Sequence, residues 1–205
     1  MNSAGRVKGL FIKLGKAARM SRYHRPFATG ARVFFTVSLA ERGSDLLVRE
    51  VDRLRAAVVQ TRNRHPFGID AFVVLPDHLH TLWTLPPGDG AFSQRWAAIK
   101  AGFSRGLDSG ARRSSHRARR EKGIWQRRFW EHHIRDEADY DRHLLYCWRD
   151  PVAHGLVARA VDWPLSSLHR DLRRGIVPVE ALSSGPGVGC ASAHRLRLPF
   201  ADTVR

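Results

Sequence analysis

Two histidines one residue apart, His78-Leu79-His80, and a tyrosine followed four residues later by an aspartate, Tyr146 and Asp150, are the residue types whose spacing could do chemistry here. On a β-strand, residues i and i+2 project from the same side, so both imidazoles would face one way while Leu79 and Thr81 face the other. Two neutral imidazoles side by side can chelate a divalent cation. The plainer reading of an isolated His-x-His is a pair of surface histidines on a half-exposed strand. On a helix, residues i and i+4 share a face, so Tyr146 and Asp150 could reach one point. A tyrosine hydroxyl can attack a phosphodiester, forming a covalent phosphotyrosine and releasing a sugar hydroxyl. A cation held by two imidazoles and a carboxylate would polarise and align that phosphate, and such a donor set accepts Mg2+ or Mn2+. The plainer reading of Tyr146 is a half-buried tyrosine with its hydroxyl hydrogen-bonded.

A strand and a helix must bring these residues together, and the surrounding pattern supplies both. Val33 to Leu39 is a β-branched and aromatic run that reads as a strand ended by Gly43. Ser44-Asp45 then open a helix in which Leu47, Val51, Leu54 and Val58 recur at amphipathic spacing, stopping before Pro66. Ile69 to Leu75 forms a second strand, Pro76-Asp77 interrupts it, and His78 to Leu85 forms the third. A second helix is predicted from about Phe92 to Leu107, a fourth strand over Ile124 to Ile134, and a third helix from Asp136 to about Arg149, ended by Pro151. At 100° per residue, Asp139, Arg142, His143, Tyr146 and Asp150 share a polar face of that helix. Tyr140, Leu144, Cys147 and Trp148 share an apolar one, which makes Tyr140 a core residue. His132 and His133 are adjacent on a strand and face opposite sides, so they do not chelate one ion together. Antiparallel pairing with helices packed on one face gives an α+β, ferredoxin-like sandwich.

A chain of 205 residues with 43% hydrophobic content suits one globular domain. Residues 1–19 read as a basic extension, 20–178 as the domain, and 179–205 as a Gly/Ser/Pro-rich tail. The 35 Lys and Arg against 19 Asp and Glu favour a polyanion as partner, and nucleic acid is the usual one. The excess is densest in a basic loop at about 110–123, with Arg112, Arg113, Arg117, Arg119, Arg120 and Lys122. Arg22 and Arg25 add cations near the start, and all of these could contact phosphates. Two cysteines, Cys147 and Cys190, exclude a disulfide framework and a four-cysteine zinc site. No Cys-x-x-Cys unit and no Glu directly after the paired histidines argues against a zinc base deaminase. No apolar run approaches the length needed to span a bilayer, so a cytoplasmic protein without membrane contact is the default.

Spaced segments carry a resemblance as well. They are Val73-Val74-Leu75-Pro76-Asp77-His78-Leu79-His80, Ile124-Trp125-Gln126-Arg127-Arg128-Phe129-Trp130-Glu131-His132, Asp139-Tyr140 through Tyr146, Asp150-Pro151-Val152 with His154-Gly155-Leu156-Val157, and Asp162-Trp163-Pro164-Leu165-Ser166-Ser167. From about Ser21 to Pro178 the sequence resembles the REP-associated tyrosine transposases, a bacterial branch of the single-tyrosine HUH transposases. The resemblance implies an HUH endonuclease domain with His78 and His80 as metal ligands and Tyr146 as nucleophile. It also implies cleavage and rejoining of single-stranded DNA at repetitive extragenic palindromes, as in DNA transposition. The partner expected is single-stranded DNA with a hairpin, bound by a monomer or homodimer. At Asp150 the sequence departs from the family, whose third metal ligand is usually the asparagine of an Asn-Pro pair. The alternative is a non-catalytic or domesticated module that binds hairpin DNA or RNA, which would leave His78, His80 and Tyr146 unused.

Overall fold

The computed structural model describes residues 30–110 and 122–175. Four strands, β1 (Arg32–Ser38), β2 (Gly68–Val74), β3 (His78–Thr84) and β4 (Trp130–His133), form one sheet in the order β2-β3-β1-β4. Each pairing is antiparallel. The helices are α1 (Leu46–Arg49), α2 (Val51–Arg64), α3 (Phe92–Ser104), α4 (Glu137–Ala153) and α5 (Leu168–Arg173). Strand–helix–strand–strand–helix–strand with that sheet order is the ferredoxin-like arrangement expected from the sequence.

The period of two along β1 and β3 divides the core. Val33, Phe35 and Val37 with Leu79 and Trp83 pack beneath α2 and α3, against Leu54, Val58, Trp96, Ile99 and Phe103. Trp83 stacks on Trp96 at 4.5 Å between ring centroids. These two helices share one face, as expected, but α4 departs from that single-face picture. Phe34 and Leu82 point the other way and are also apolar, so the opposite face needs cover as well. Cys147 and Trp148 of α4 and Leu168 of α5 supply it.

Three boundaries differ from the sequence pattern. The first helix breaks at Glu50, whose backbone leaves the helical region at φ −105° and ψ 28°. Between Ile124 and Ile134 only Trp130–His133 is strand, with an isolated bridge from Trp125 to Leu39. Pro151 does not end α4 but lies inside it, and buried packing holds it there. The stop comes at Gly155, whose φ of 67° is left-handed, with its N–H donating to Val152 O.

Candidate active site

His78 and His80 project from the same side of β3 towards α4, and each is fixed at its inner nitrogen. Nδ1 of His78 donates to Asp77 Oδ1 at 2.7 Å, and Asp77 Oδ2 accepts from the Gly43 N–H at 2.8 Å. Nδ1 of His80 shares a 2.8 Å hydrogen bond with Thr36 Oγ1, from the residue directly opposite on β1. Both rings therefore present Nε2 to the same point, as metal-ligating histidines with outer hydrogen-bond partners do.

Asp150 arrives at that point from the last turn of α4. Its Oδ2 lies 3.2 Å from His80 Nε2 and 3.6 Å from His78 Nε2. His80 is 1% exposed and Asp150 4%, yet neither His80 Nε2 nor Asp150 Oδ2 has a hydrogen-bond partner. Orphaned buried polar atoms are costly unless something binds them. A divalent cation between two imidazole nitrogens and a carboxylate oxygen fits this donor set.

Tyr146 stands one turn earlier on α4, with its ring edge-on to His80 at 5.1 Å and to Phe34 at 5.8 Å. The polar face of α4 is thus turned inward onto the sheet. Asp139, His143 and Asp150 are buried there, and Tyr146 is half-buried between the sheet and a cavity. The polar face that the sequence pattern assigns to this helix is therefore the face that meets the sheet, with Tyr146 half-buried in it. The reason is the second apolar face of the sheet, which α4 covers together with α5. Tyr140 is half-buried rather than a core residue, and the Arg32 guanidinium lies 4.4 Å over its ring.

Charges at the site follow from burial and these contacts. Burial pushes the Asp150 carboxyl up, but the adjoining His78 and His80 rings outweigh it and hold the carboxyl below its usual range. For His80, burial wins and lowers the imidazole. At His78 burial also lowers, but Asp150 and Asp77 prevail and raise it. Burial, with the negative charge of Asp150, pushes the Tyr146 hydroxyl well up.

A cavity of about 210 Å³ opens over these groups, walled by Thr36, Ser38, Arg42, Gln126, Arg128 and Tyr146. Gln126 and Arg128 reach it because the chain leaves the sheet before β4 begins. Sequence reasoning passed over Asp77, Thr36, Arg128 and His154. Only Asp77 had a readable signal, as a carboxylate directly before a candidate ligand. Of the cations expected to meet DNA, Arg22, Arg25, Arg112, Arg113, Arg117, Arg119 and Arg120 lie outside the described residues. Lys122 is half-buried and its ammonium donates to the Leu107 carbonyl. No helix among the described residues is long and apolar enough to cross a membrane.

No family model matches the chain. It is 44% identical over 161 residues to the REP-associated tyrosine transposase of Escherichia coli (strain K12), a span of 78% of this chain and 90% of that protein. A relative from Haemophilus influenzae is 43% identical over 161 residues, which are 92% of its length. Among solved structures, a REP-associated tyrosine transposase bound to a REP hairpin superposes with a TM-score of 0.68 at 43% identity, covering 81% of this chain and 92% of that one. With 44% identity over most of both chains and a matching fold, the chain belongs to the REP-associated tyrosine transposases.

Proposed function

We propose that this transposase cleaves and rejoins single-stranded DNA beside a REP-like hairpin, with Tyr146 as nucleophile and a divalent ion, Mg2+ or Mn2+, held by His78, His80 and Asp150. One observation carries the reading. His80 Nε2 and Asp150 Oδ2 are buried without hydrogen-bond partners, beside a tyrosine that faces an open cavity. The similar solved structure, which holds a REP hairpin, supports hairpin DNA as the substrate.

The Tyr146 oxygen attacks the phosphorus, forming a tyrosyl phosphoester as the bond to the sugar oxygen breaks, and that oxygen leaves with a proton as a hydroxyl. An ion held by His78, His80 and Asp150 would supply Lewis-acid polarisation of the phosphate. The protein's own groups do the rest. Asp77 and Thr36 hold the two imidazoles in place. The ring contacts with His80 and Phe34 keep Tyr146 facing the same point, which lowers the entropic part of the barrier. Arg42 and Arg128 on the cavity wall are placed to meet the phosphate. Arg22, Arg25 and the cations of 112–122 neutralise the remaining backbone, which makes hairpin binding strongly salt-dependent.

The test is to incubate the protein with Mn2+ and labelled hairpin DNA bearing a single-stranded flank, then run a denaturing gel. Wild type and Tyr140→Phe form a covalent adduct, whereas Tyr146→Phe binds the hairpin and forms none. Phosphate found by mass spectrometry on Tyr140 or Tyr23 overturns the nucleophile. Hairpin binding with no adduct under any ion turns the reading to a non-catalytic module.

A further inference from the structure

We infer that His154 is a further protein ligand of this centre, and that its imidazole biases the site towards Co2+ and Zn2+ and away from Mg2+. The inference rests on the metal reading above. His154 follows Asp150 by four residues, so the last helical turn carries both to the same side, and its N–H donates to Asp150 O at 2.9 Å. Its Nε2 lies 3.5 Å from Asp150 Oδ2, and its ring is 5.0 Å from that of His78. Three imidazole Nε2 atoms therefore surround one carboxylate oxygen at 3.2, 3.5 and 3.6 Å, and that oxygen has no hydrogen-bond partner.

Those separations are too long or misaligned for hydrogen bonds, but they suit atoms that would share a cation at about 2.0–2.2 Å from each. The His154 side chain is 49% exposed and lines the cavity, so its ring is free to turn towards the other two imidazoles without disturbing the core. Donor chemistry sets the preference. Two imidazoles and a carboxylate leave positions that waters fill, which Mg2+ tolerates because it retains water readily. A third imidazole replaces water with a softer nitrogen donor, and affinity then rises along the series from Mn2+ through Co2+ far more than for Mg2+. The competing role for His154 is a cation at a helix C-terminus, attracted to Asp150 and the helix dipole. That role has no metal preference.

Metal selectivity separates the two. Full-length wild type, His154→Gln and His80→Ala are titrated with Co2+ by visible absorption and with Mg2+ by calorimetry, after confirming equal thermal midpoints for wild type and His154→Gln in chelator. Wild type binds Co2+ more tightly than Mg2+, and His154→Gln weakens Co2+ by about tenfold or more, with altered bands. Its Mg2+ affinity stays within about twofold. Equal Co2+ binding and bands in wild type and His154→Gln, with binding lost in His80→Ala, overturn the role of His154 and leave the centre standing. Equal weakening of both ions in His154→Gln also overturns it, in favour of the helix-end charge. Wild type that takes no Co2+, or His80→Ala that takes it undiminished, overturns the centre and this inference together.

Discussion

Two trios of the same composition lie on the same face of the sheet, and they are chemically opposite. His78, His80 and Asp150 form one, and His132, Asp139 and His143 the other; in each, one donor atom per residue lies within 4.8 Å of the others. In the second trio the carboxylate is saturated. Asp139 Oδ2 accepts from His132 Nε2 at 2.8 Å and from the Arg135 N–H and Nε at 3.1 and 3.3 Å. Its Oδ1 accepts from Arg142 at 3.0 Å. His143 Nδ1 donates to the Asp139 carbonyl at 2.8 Å, and the two imidazoles stack at 4.5 Å. A cation entering there would have to displace two guanidinium groups. The first trio leaves a nitrogen and an oxygen with no partner. Residue type and proximity do not make a metal site; unsatisfied donors held in place do. The saturated trio acts instead as a tie between β4 and the first turn of α4, the helix whose far end carries Asp150.

The largest effect that could break this contrast is on cleavage. His80→Ala should reduce metal-dependent adduct formation by about a hundredfold to a thousandfold, the scale seen when a positioned electrostatic group is removed. His132→Ala should leave cleavage per folded molecule within about threefold, because its ring touches neither phosphate nor ion. A gel assay at matched hairpin occupancy measures both, and comparable losses would merge the two trios into one functional unit.

Stability in chelator should show the reverse order. Asp139→Ala removes a buried carboxylate that ties His132, Arg135 and Arg142 together and should cost about 3 kcal/mol. For a chain of this size that is a fall of roughly 6–12 °C in thermal midpoint. Asp150→Asn keeps the side-chain volume and an oxygen beside the two imidazoles, with which the carboxylate makes no hydrogen bond, and should change the midpoint by no more than about 3 °C. A larger fall for Asp150→Asn than for Asp139→Ala would contradict the assignment of which carboxylate is structural.

Added ion gives a smaller and sharper signal. Mn2+ at about a hundred times its dissociation constant should stabilise wild type by about 2.7 kcal/mol. The gain should persist in His132→Ala and vanish in His80→Ala. Thermal denaturation with and without Mn2+ checks both, and a gain lost in His132→Ala would show an ion at the second trio.

The smallest effect is on acid sensitivity. Burial raises the Asp139 carboxyl, but His132, the Arg135 N–H and Arg142 outweigh it and hold it below its usual range. A depressed folded value means its contribution is complete above the ordinary aspartate range, near pH 4, and is lost as pH falls through the folded value. Wild-type stability in chelator should therefore fall on acidification, and Asp139→Asn should show a shallower fall. Parallel slopes for the two proteins would remove Asp139 from the acid response.

The approach of the candidate site residues was partly legible because they are close in sequence within two elements. His78 and His80 share a strand face by the period of two, and Tyr146 and Asp150 share a helix face by the period of 3.6. Partners from distant elements were not legible. Thr36 meets His80 only through the register of β1 on β3, and His132 meets Asp139 across a strand and a helix. The polar stripe of α4 is marked by its pattern, but its burial follows from the second apolar side of the sheet, which the pattern does not show. His154 was hidden by Pro151, which read as a stop before it. The break at Glu50 likewise had no sequence mark, since the apolar spacing runs through it.

Pro151 has a bearing on local opening rather than on geometry. Without an amide hydrogen it cannot donate to Cys147 O, so the turn carrying Asp150 and His154 lacks one rung that ties it to the rest of α4. That turn is held by the His154-to-Asp150 and Leu156-to-Pro151 backbone bonds and is exposed from Val152 to Leu156. Amide hydrogens there should exchange well ahead of those at Cys147 and Trp148, which are buried on the sheet. The same helix thus joins a firmly protected segment, which carries Tyr146, to a last turn that opens more readily, which carries Asp150 and His154.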